Sequence, residues 1–302
     1  MALNSSYSDV LTTKYSNTVF ELAAQEMSKL RGAVEVVPLA AEDMLFPRIG
    51  SQEVQQLQQR SPLIIPSDIQ WDNRRLASGR VGVPFFLDEY DAERMLADPK
   101  SILAMRSGQA LERNLDRVII GSFMANAYTG RNGTVPVSAA VDGVVTLDAT
   151  NGFTYDTLLQ IQEQLESVEL GTRGGTDEGM HMYLITTEQE KAKLMREGTL
   201  ISSDFTGQRP VDTGKMTQAL GFTIITYGSA TAFPMLTVNG TTRDCFAICS
   251  GAVKLGITQN WKTKIEPVNN RWDTIQVLAS GAVGATRMEG PRIIRVQTTI
   301  GQ

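Results

Sequence analysis

Three segments carry residue types that could do chemistry. Asp212-Thr213-Gly214 is the tripeptide on which aspartic proteases mount a catalytic carboxylate. That reaction needs two carboxylates sharing one proton, so a single copy would act only across a homodimer. Its surroundings argue for a loop turn instead, because Pro210 stands where apolar residues belong and Lys215 where a small one belongs. The Gly-rich run from Gly171 to Gly179 could cradle a phosphate on its backbone amides. It lacks the Lys-Ser/Thr ending of a phosphate loop and does not lie between strand and helix in that way, so a surface loop is expected. Cys245 and Cys249 would share one face of a strand. With no nearby histidine and no second cysteine pair they cannot complete four metal ligands, and buried apolar thiols are expected.

His181 is the single histidine. Any Ser-His-Asp or Cys-His arrangement would have to use it, and a His-Glu-x-x-His zinc site is excluded. It is expected to make an ordinary polar contact. No catalytic residue, metal ligand or cofactor-binding residue is therefore expected. The formal net charge of −5 gives no basic footprint for a sequence-independent nucleic-acid binder. Such contact would fall to local patches or to simple enclosure. Two cysteines make no disulfide framework and fit a reducing compartment. Residues 1–10 lack the marks of a secretory signal, and no apolar run approaches the ~18 residues of a membrane span. The expectation is a protein that is soluble and intracellular when made. Asn132-Gly133-Thr134 and Asn239-Gly240-Thr241 are expected as turns rather than glycosylation sites.

The elements that would position these residues follow from periodicity. Residues 11–31 predict an amphipathic helix, stopped by Gly32. Within 42–90, two apolar runs (63–71 and 81–87) flank a polar stretch, Asp72–Arg80, and predict a long two-stranded hairpin whose prolines suit edge strands. A hairpin with so few partners in its own chain calls for cover from a neighbouring subunit. Residues 98–127 predict the clearest helix, with Asp98 as cap and Pro99 in the first position. Leu111, Leu115, Val118, Ile119 and Ser122 share one face, and Glu112, Arg113, Asp116 and Arg117 the other. Residues 131–152 read as turn-rich and β-prone. Helices are expected over 154–169 and 187–198, and strands over 182–186, 222–227, 244–257, 272–287 and 292–300, with a bend or bulge near Gly281 and Gly284 as the alternative to an unbroken strand there. Helices and strands do not alternate regularly, so the fold class is α+β.

Two charge clusters stand out. Arg74, Arg75 and Arg80 lie in the expected hairpin turn, and Asp88, Glu89, Asp91 and Glu93 lie before the long helix. The bland reading is two solvated faces. The sharper one is that the arginines of one subunit meet the carboxylates of the next, so that reversing Arg74 and Arg75 impairs assembly and spares folding.

The order of arm, hairpin, long helix, α/β middle and β-rich return resembles the major capsid proteins of tailed bacteriophages, the Hong Kong 97-type fold also found in encapsulin shells. Residues 182–195, 215–227 and the closing stretch Phe246–Ile257 with 272–296 carry the resemblance best. It implies an N-terminal arm (1–41), an extended hairpin loop (42–90), a peripheral domain with a spine helix (91–150), an axial domain (151–240) and return strands of the peripheral domain (241–302). It implies a virion shell subunit, made in the host bacterial cytoplasm, that forms hexamers and pentamers with copies of itself. A separate scaffolding protein, a portal and a decoration protein would be its other partners. It would enclose double-stranded DNA with unspecific contacts and touch no membrane. An encapsulin-like compartment is the alternative within the shell class, and a cytoplasmic hydrolase using Asp212 the alternative outside it. Some members join subunits by lysine–asparagine crosslinks. No lysine lies between Lys29 and Lys100, so none is expected through this hairpin.

Overall fold

The computed structural model describes Gln25, 27–50, Ile69, 71–88, 99–149, 152–167, 181–196, 217–229, 234–268, Arg271 and 273–300. In chain order, β1 (Glu35–Pro38), β2 (Asp43–Ile49), β3 (Trp71–Ala77) and β4 (Gly79–Asp88) precede helix α1 (Pro99–Met124). Then come β5 (Ala127–Thr129), β6 (Val135–Val137), β7 (Val145–Ala149), helix α2 (Tyr155–Ser167), β8 (Met182–Thr187) and helix α3 (Glu188–Arg196). The remainder is strand: β9 (Gln218–Ala219), β10 (Phe222–Tyr227), β11 (Val238–Asn239), β12 (Thr242–Cys249), β13 (Val253–Pro267), β14 (Thr274–Arg287) and β15 (Ile293–Thr299). The fold is α+β, with mixed sheets and few helices.

Helix α1 forms because Leu111, Leu115, Ile119 and Phe123 recur every four residues, and all four are buried to within 1%. Its 26 residues span about 39 Å at ~1.5 Å each. At its C-terminal end the Phe123 ring meets Phe246 edge-on at 5.1 Å, which ties the helix to β12. Around β12 a seven-stranded sheet runs β7-β15-β12-β8-β10-β9, with β11 paired to β12. From Arg243 to Cys249 every residue of β12 is buried, the pattern of a strand covered on both faces. Leu158, Ile161 and Leu165 of α2 and Leu194 of α3 complete this core. Helix α2 starts where Thr154 accepts the amide of Thr157 at 3.3 Å, an N-cap.

A second sheet, β1-β13-β14-β4, packs against α1, and a third, β2-β3-β5-β6, is antiparallel throughout. Pro47 and Pro84 lie in edge strands, β2 and β4, where a missing amide costs no ladder bond.

Three expectations need correction. Asp72–Arg80 is not a turn. Trp71–Ala77 is strand β3, paired with β2 in full register from Asp43↔Ala77 to Ile49↔Trp71, while β4 pairs with β14. The inward positions of β3 include Arg74, so the apolar alternation that marks a strand is broken. Next, 244–257 is two strands, because Ser250-Gly251-Ala252 turns the chain with Gly251 at φ 81. Residues 27–31 form turn and bend rather than helix; residues 11–24 of the expected arm helix lie outside the described residues. The long strand expected over 272–287 is found as β14, which runs unbroken through Gly281 and Gly284 without the alternative bend. The register shifts sit opposite, in β13 between Ile257 and Lys262. The glycines answer to crowding instead: a Cβ on Gly284 would stand 1.9 Å from the Ala77 carbonyl oxygen, and one on Gly281 2.2 Å from the Trp261 ring.

Candidate functional site

The residues with catalytic chemistry do not converge. Cys245 and Cys249 are buried on β12 as free thiols. Burial pushes Cys249 up to about 11 and Cys245 further still, so neither is a thiolate nucleophile near neutrality. His181 is exposed just before β8. Asp212 and the 171–179 loop lie outside the described residues. Among the described residues no cluster of three His, Cys, Asp or Glu could hold a metal, and no helix is long and apolar enough to cross a membrane.

Two buried carboxylates instead organise the fold. Asp116 of α1 was expected on the polar face, and it is fully buried. Its oxygens accept from Gln25 Nε2 and Ser28 Oγ, both at 2.5 Å, from the Lys29 and Leu30 amides at 3.1 and 3.2 Å, and from the Tyr227 hydroxyl at 2.8 Å. One carboxylate thereby fastens the chain at 25–30 to α1 and β10. Neighbouring Glu112 adds the Ser28 amide at 3.2 Å and Trp261 Nε1 at 2.7 Å. Burial, then the Asp116 charge, pushes the Tyr227 hydroxyl well above its ordinary value and keeps it a donor.

The second carboxylate is Asp142, in the turn before β7. It takes Arg74 Nη2 on one oxygen and Arg287 Nε at 2.7 Å on the other. Arg287 also donates to the carbonyls of Phe123 at 2.8 Å, Ala125 at 3.0 Å and Val137 at 3.3 Å. It thus caps the open C-terminal end of α1, whose last turn has no basic residue of its own. Gly290 lets the Asp142 backbone approach, since a Cβ there would stand 2.1 Å from its carbonyl oxygen. Sequence reasoning missed Asp116, Asp142 and Arg287. Only Asp142-Gly143 left a signal, that of a turn.

The predicted contact charges divide. Arg74 is 1% exposed and belongs to the Asp142 cluster, so it is not a surface group as expected. The cause is that β3 turns this side chain inward beside a partner 68 residues away. Arg75 pairs with Asp43 across the β2–β3 ladder at 2.8 Å. Arg80 is exposed at the start of β4 and Asp88 exposed at its end. Glu89, Asp91 and Glu93 lie outside the described residues.

Uncovered strand is the other prominent feature. From Thr258 to Pro267 nearly every residue of β13 is exposed on both faces, Ile265 among them, and Phe86 is exposed on β4. On the β2–β3 pair Met44, Leu45, Ile49 and Trp71 are exposed, Trp71 by 68%.

A family model for phage capsid proteins matches residues 8–300. No curated protein matches the chain. Its fold is similar to the capsid of cyanophage P-SCSP1u, with a TM-score of 0.70 at 12% identity over 97% of this chain and 94% of that one. It is similar also to the capsid asymmetric unit of cyanophage Pam1, with a TM-score of 0.71 at 11% identity over 95% and 96%. The capsid of a native GTA particle gives 0.65 at 14% identity over 99% and 100%. With the family match spanning nearly the whole length, the chain belongs to the phage capsid protein family and is a shell-forming structural subunit of phage heads.

Proposed function

We propose that many copies of this chain close an icosahedral head around double-stranded DNA, each covering on its neighbours the strand surface it leaves bare on itself. The observation that carries this is the outer half of β13, exposed on both faces with β14 and β4 alongside it. Exposed strand with apolar side chains is a liability in a solitary protein and an interface in a tiling one. In this reading 1–41 is the arm, 42–90 the extended hairpin loop and 91–150 the peripheral domain, with α1 as its spine. Residues 151–240 form the axial domain and 241–302 supply the return strands. Strand pairing supports reading that last stretch in two parts. The strands β13 and β14 pair towards β4, whereas β12 and β15 share a sheet with β8. Partners are further copies in hexamers and pentamers, a separate scaffold, a portal and a decoration protein. Arg75, Arg80, Asp88, Glu89, Asp91 and Glu93 are the charges assigned to contacts between subunits. Synthesis takes place in the bacterial cytoplasm, and the chain serves no catalytic role.

Analytical ultracentrifugation with negative-stain imaging tests this. Closed particles containing nuclease-protected DNA are expected. Particles holding protein cargo and no DNA would favour a compartment shell. A chain that stays small in the presence of its scaffold overturns the proposal.

A further inference from the structure

The sheet β1-β13-β14-β4 has an edge that its own chain covers only in part. On the side of β13 away from β14, β1 pairs with Lys254 to Ile257 and stops there. Among the described residues no strand continues along that side, and Lys262 to Pro267 are all exposed. The ladder shows which backbone groups face out. Val268 donates its amide to the Thr274 carbonyl at 2.9 Å, and the register runs on from that pair through Pro267↔Ile275 to Lys262↔Ser280. Bonded and non-bonded pairs alternate in an antiparallel ladder, so Lys262, Lys264 and Glu266 direct their backbone groups to β14. Thr263 and Ile265 direct theirs outward, and at Pro267 the outward position has no amide to offer.

Outward amides and carbonyls are a template for another strand. The side chains decide which one fits. Lys262, Lys264 and Glu266 lie on one face of β13, and Thr263 and Ile265 on the other. Lys264 and Glu266 form an exposed pair at 3.5 Å, readily exchanged for the same pair made across a contact. Two copies of the strand can pair antiparallel about a two-fold axis, and the charges select the centre. Centred on Thr263, Lys262 opposes Lys264 of the second copy. Centred on Lys264 or on Glu266, the central residue opposes its own like charge. Centred on Ile265, Lys264 opposes Glu266 twice and Ile265 meets Ile265 on the other face. Among these four centres only Ile265 leaves no like charges opposed, and like charges directly opposite destabilise a sheet. There each Ile265 exchanges both backbone bonds with the other, and each Thr263 amide reaches the opposite Pro267 carbonyl. The prolines then close the ladder at both ends.

We propose, resting on the shell reading above, that two subunits join by pairing the outer edge of β13 with the same edge of a second copy, antiparallel about Ile265. One sheet then runs from β4 of one subunit to β4 of the other. The test uses the full chain with the scaffold it requires. Ile265→Cys sets two thiols on α-carbons about 5.5 Å apart across the axis, within disulfide range, and the native cysteines are buried. Oxidised shells of this variant are expected to run as dimers on a denaturing gel without reductant. Thr263→Cys sets its thiols about 13 Å apart along the strand and is expected to stay monomeric. Lys264→Glu and Glu266→Lys each oppose like charges, so each is expected to lose the sedimenting shell peak, and the double variant to regain it. Circular dichroism of the unassembled subunits checks that each folds. Shells of Ile265→Cys that stay monomeric after oxidation overturn the proposal, as do normal shells from either single charge variant or a folded double variant that fails to regain them. Linkage through Thr263→Cys instead would move the axis, and linkage of Ile265→Cys to the scaffold would assign the edge to that protein; either overturns it. All of these outcomes leave the shell reading standing, whereas an unaltered chain that forms no shells takes both down.

Discussion

Asp116 gathers five donors from segments that share no sequence neighbourhood. Removing it strands buried donors, and breaking a buried charged network costs about 3–5 kcal/mol. Asp116→Ala is therefore expected to lower the urea unfolding free energy of the unassembled subunit by about 3 kcal/mol or more, with Asp116→Asn losing less. Asp72 makes a different prediction. Burial alone would raise its carboxyl, but hydrogen bonds from Thr129, Arg48 and the Asn73 amide outweigh it and hold the group at about 2, against an ordinary 3.8. The unfolded chain thus takes up this proton more readily than the folded one. The stabilisation is complete above 3.8 and is lost as pH falls from there through about 2. Hydrogen exchange of the β2 and β3 amides should quicken across that window. Asp72→Asn should remove the pH step.

Among the elements, β14 is constrained by what passes over it. At Gly284 the contact is backbone, the Ala77 carbonyl, so no rotamer change relieves an added methyl. Gly284→Ala is expected to destabilise the subunit by about 1–3 kcal/mol, seen as a lower thermal midpoint. Gly82→Ala, whose nearest contact is an ordinary 3.4 Å, is the control. These elements were legible to different degrees. The buried stripe of α1 is written in Leu111, Leu115 and Ile119, four residues apart, and can be read without knowing the partner. The strand β3 could not be read that way. Its inward Arg74 is satisfied by Asp142, and a polar residue that finds a distant partner looks in sequence like one that faces water. Asp116 was misplaced for the same reason, since its donors come from 86 to 111 residues away. The acidic and basic clusters were visible as charges. Their division into internal pairs and exposed groups depends on tertiary packing and was not.

For the whole molecule, the bare surfaces should matter to assembly and little to the subunit alone. Trp71 is largely exposed and pairs across the ladder with Ile49. Trp71→Ser is expected to change the unfolding free energy of the unassembled subunit by no more than about 0.5 kcal/mol, as exposed substitutions do. Large aromatic side chains anchor interfaces, so the yield of sedimenting shells from the same variant should fall sharply. A variant that unfolds early, yet assembles normally whenever folded, would place Trp71 in subunit stability instead.

The two cysteines, buried on β12, have a practical consequence. Both thiols of the chain are shielded and held in the neutral form. The native protein is thus nearly blank to maleimides at neutral pH. A single Val141→Cys substitution, at a site 79% exposed, would give each subunit one addressable handle. Fluorophores or peptides could then be displayed at a stoichiometry set by the number of subunits in the particle, with no native cysteine to remove first.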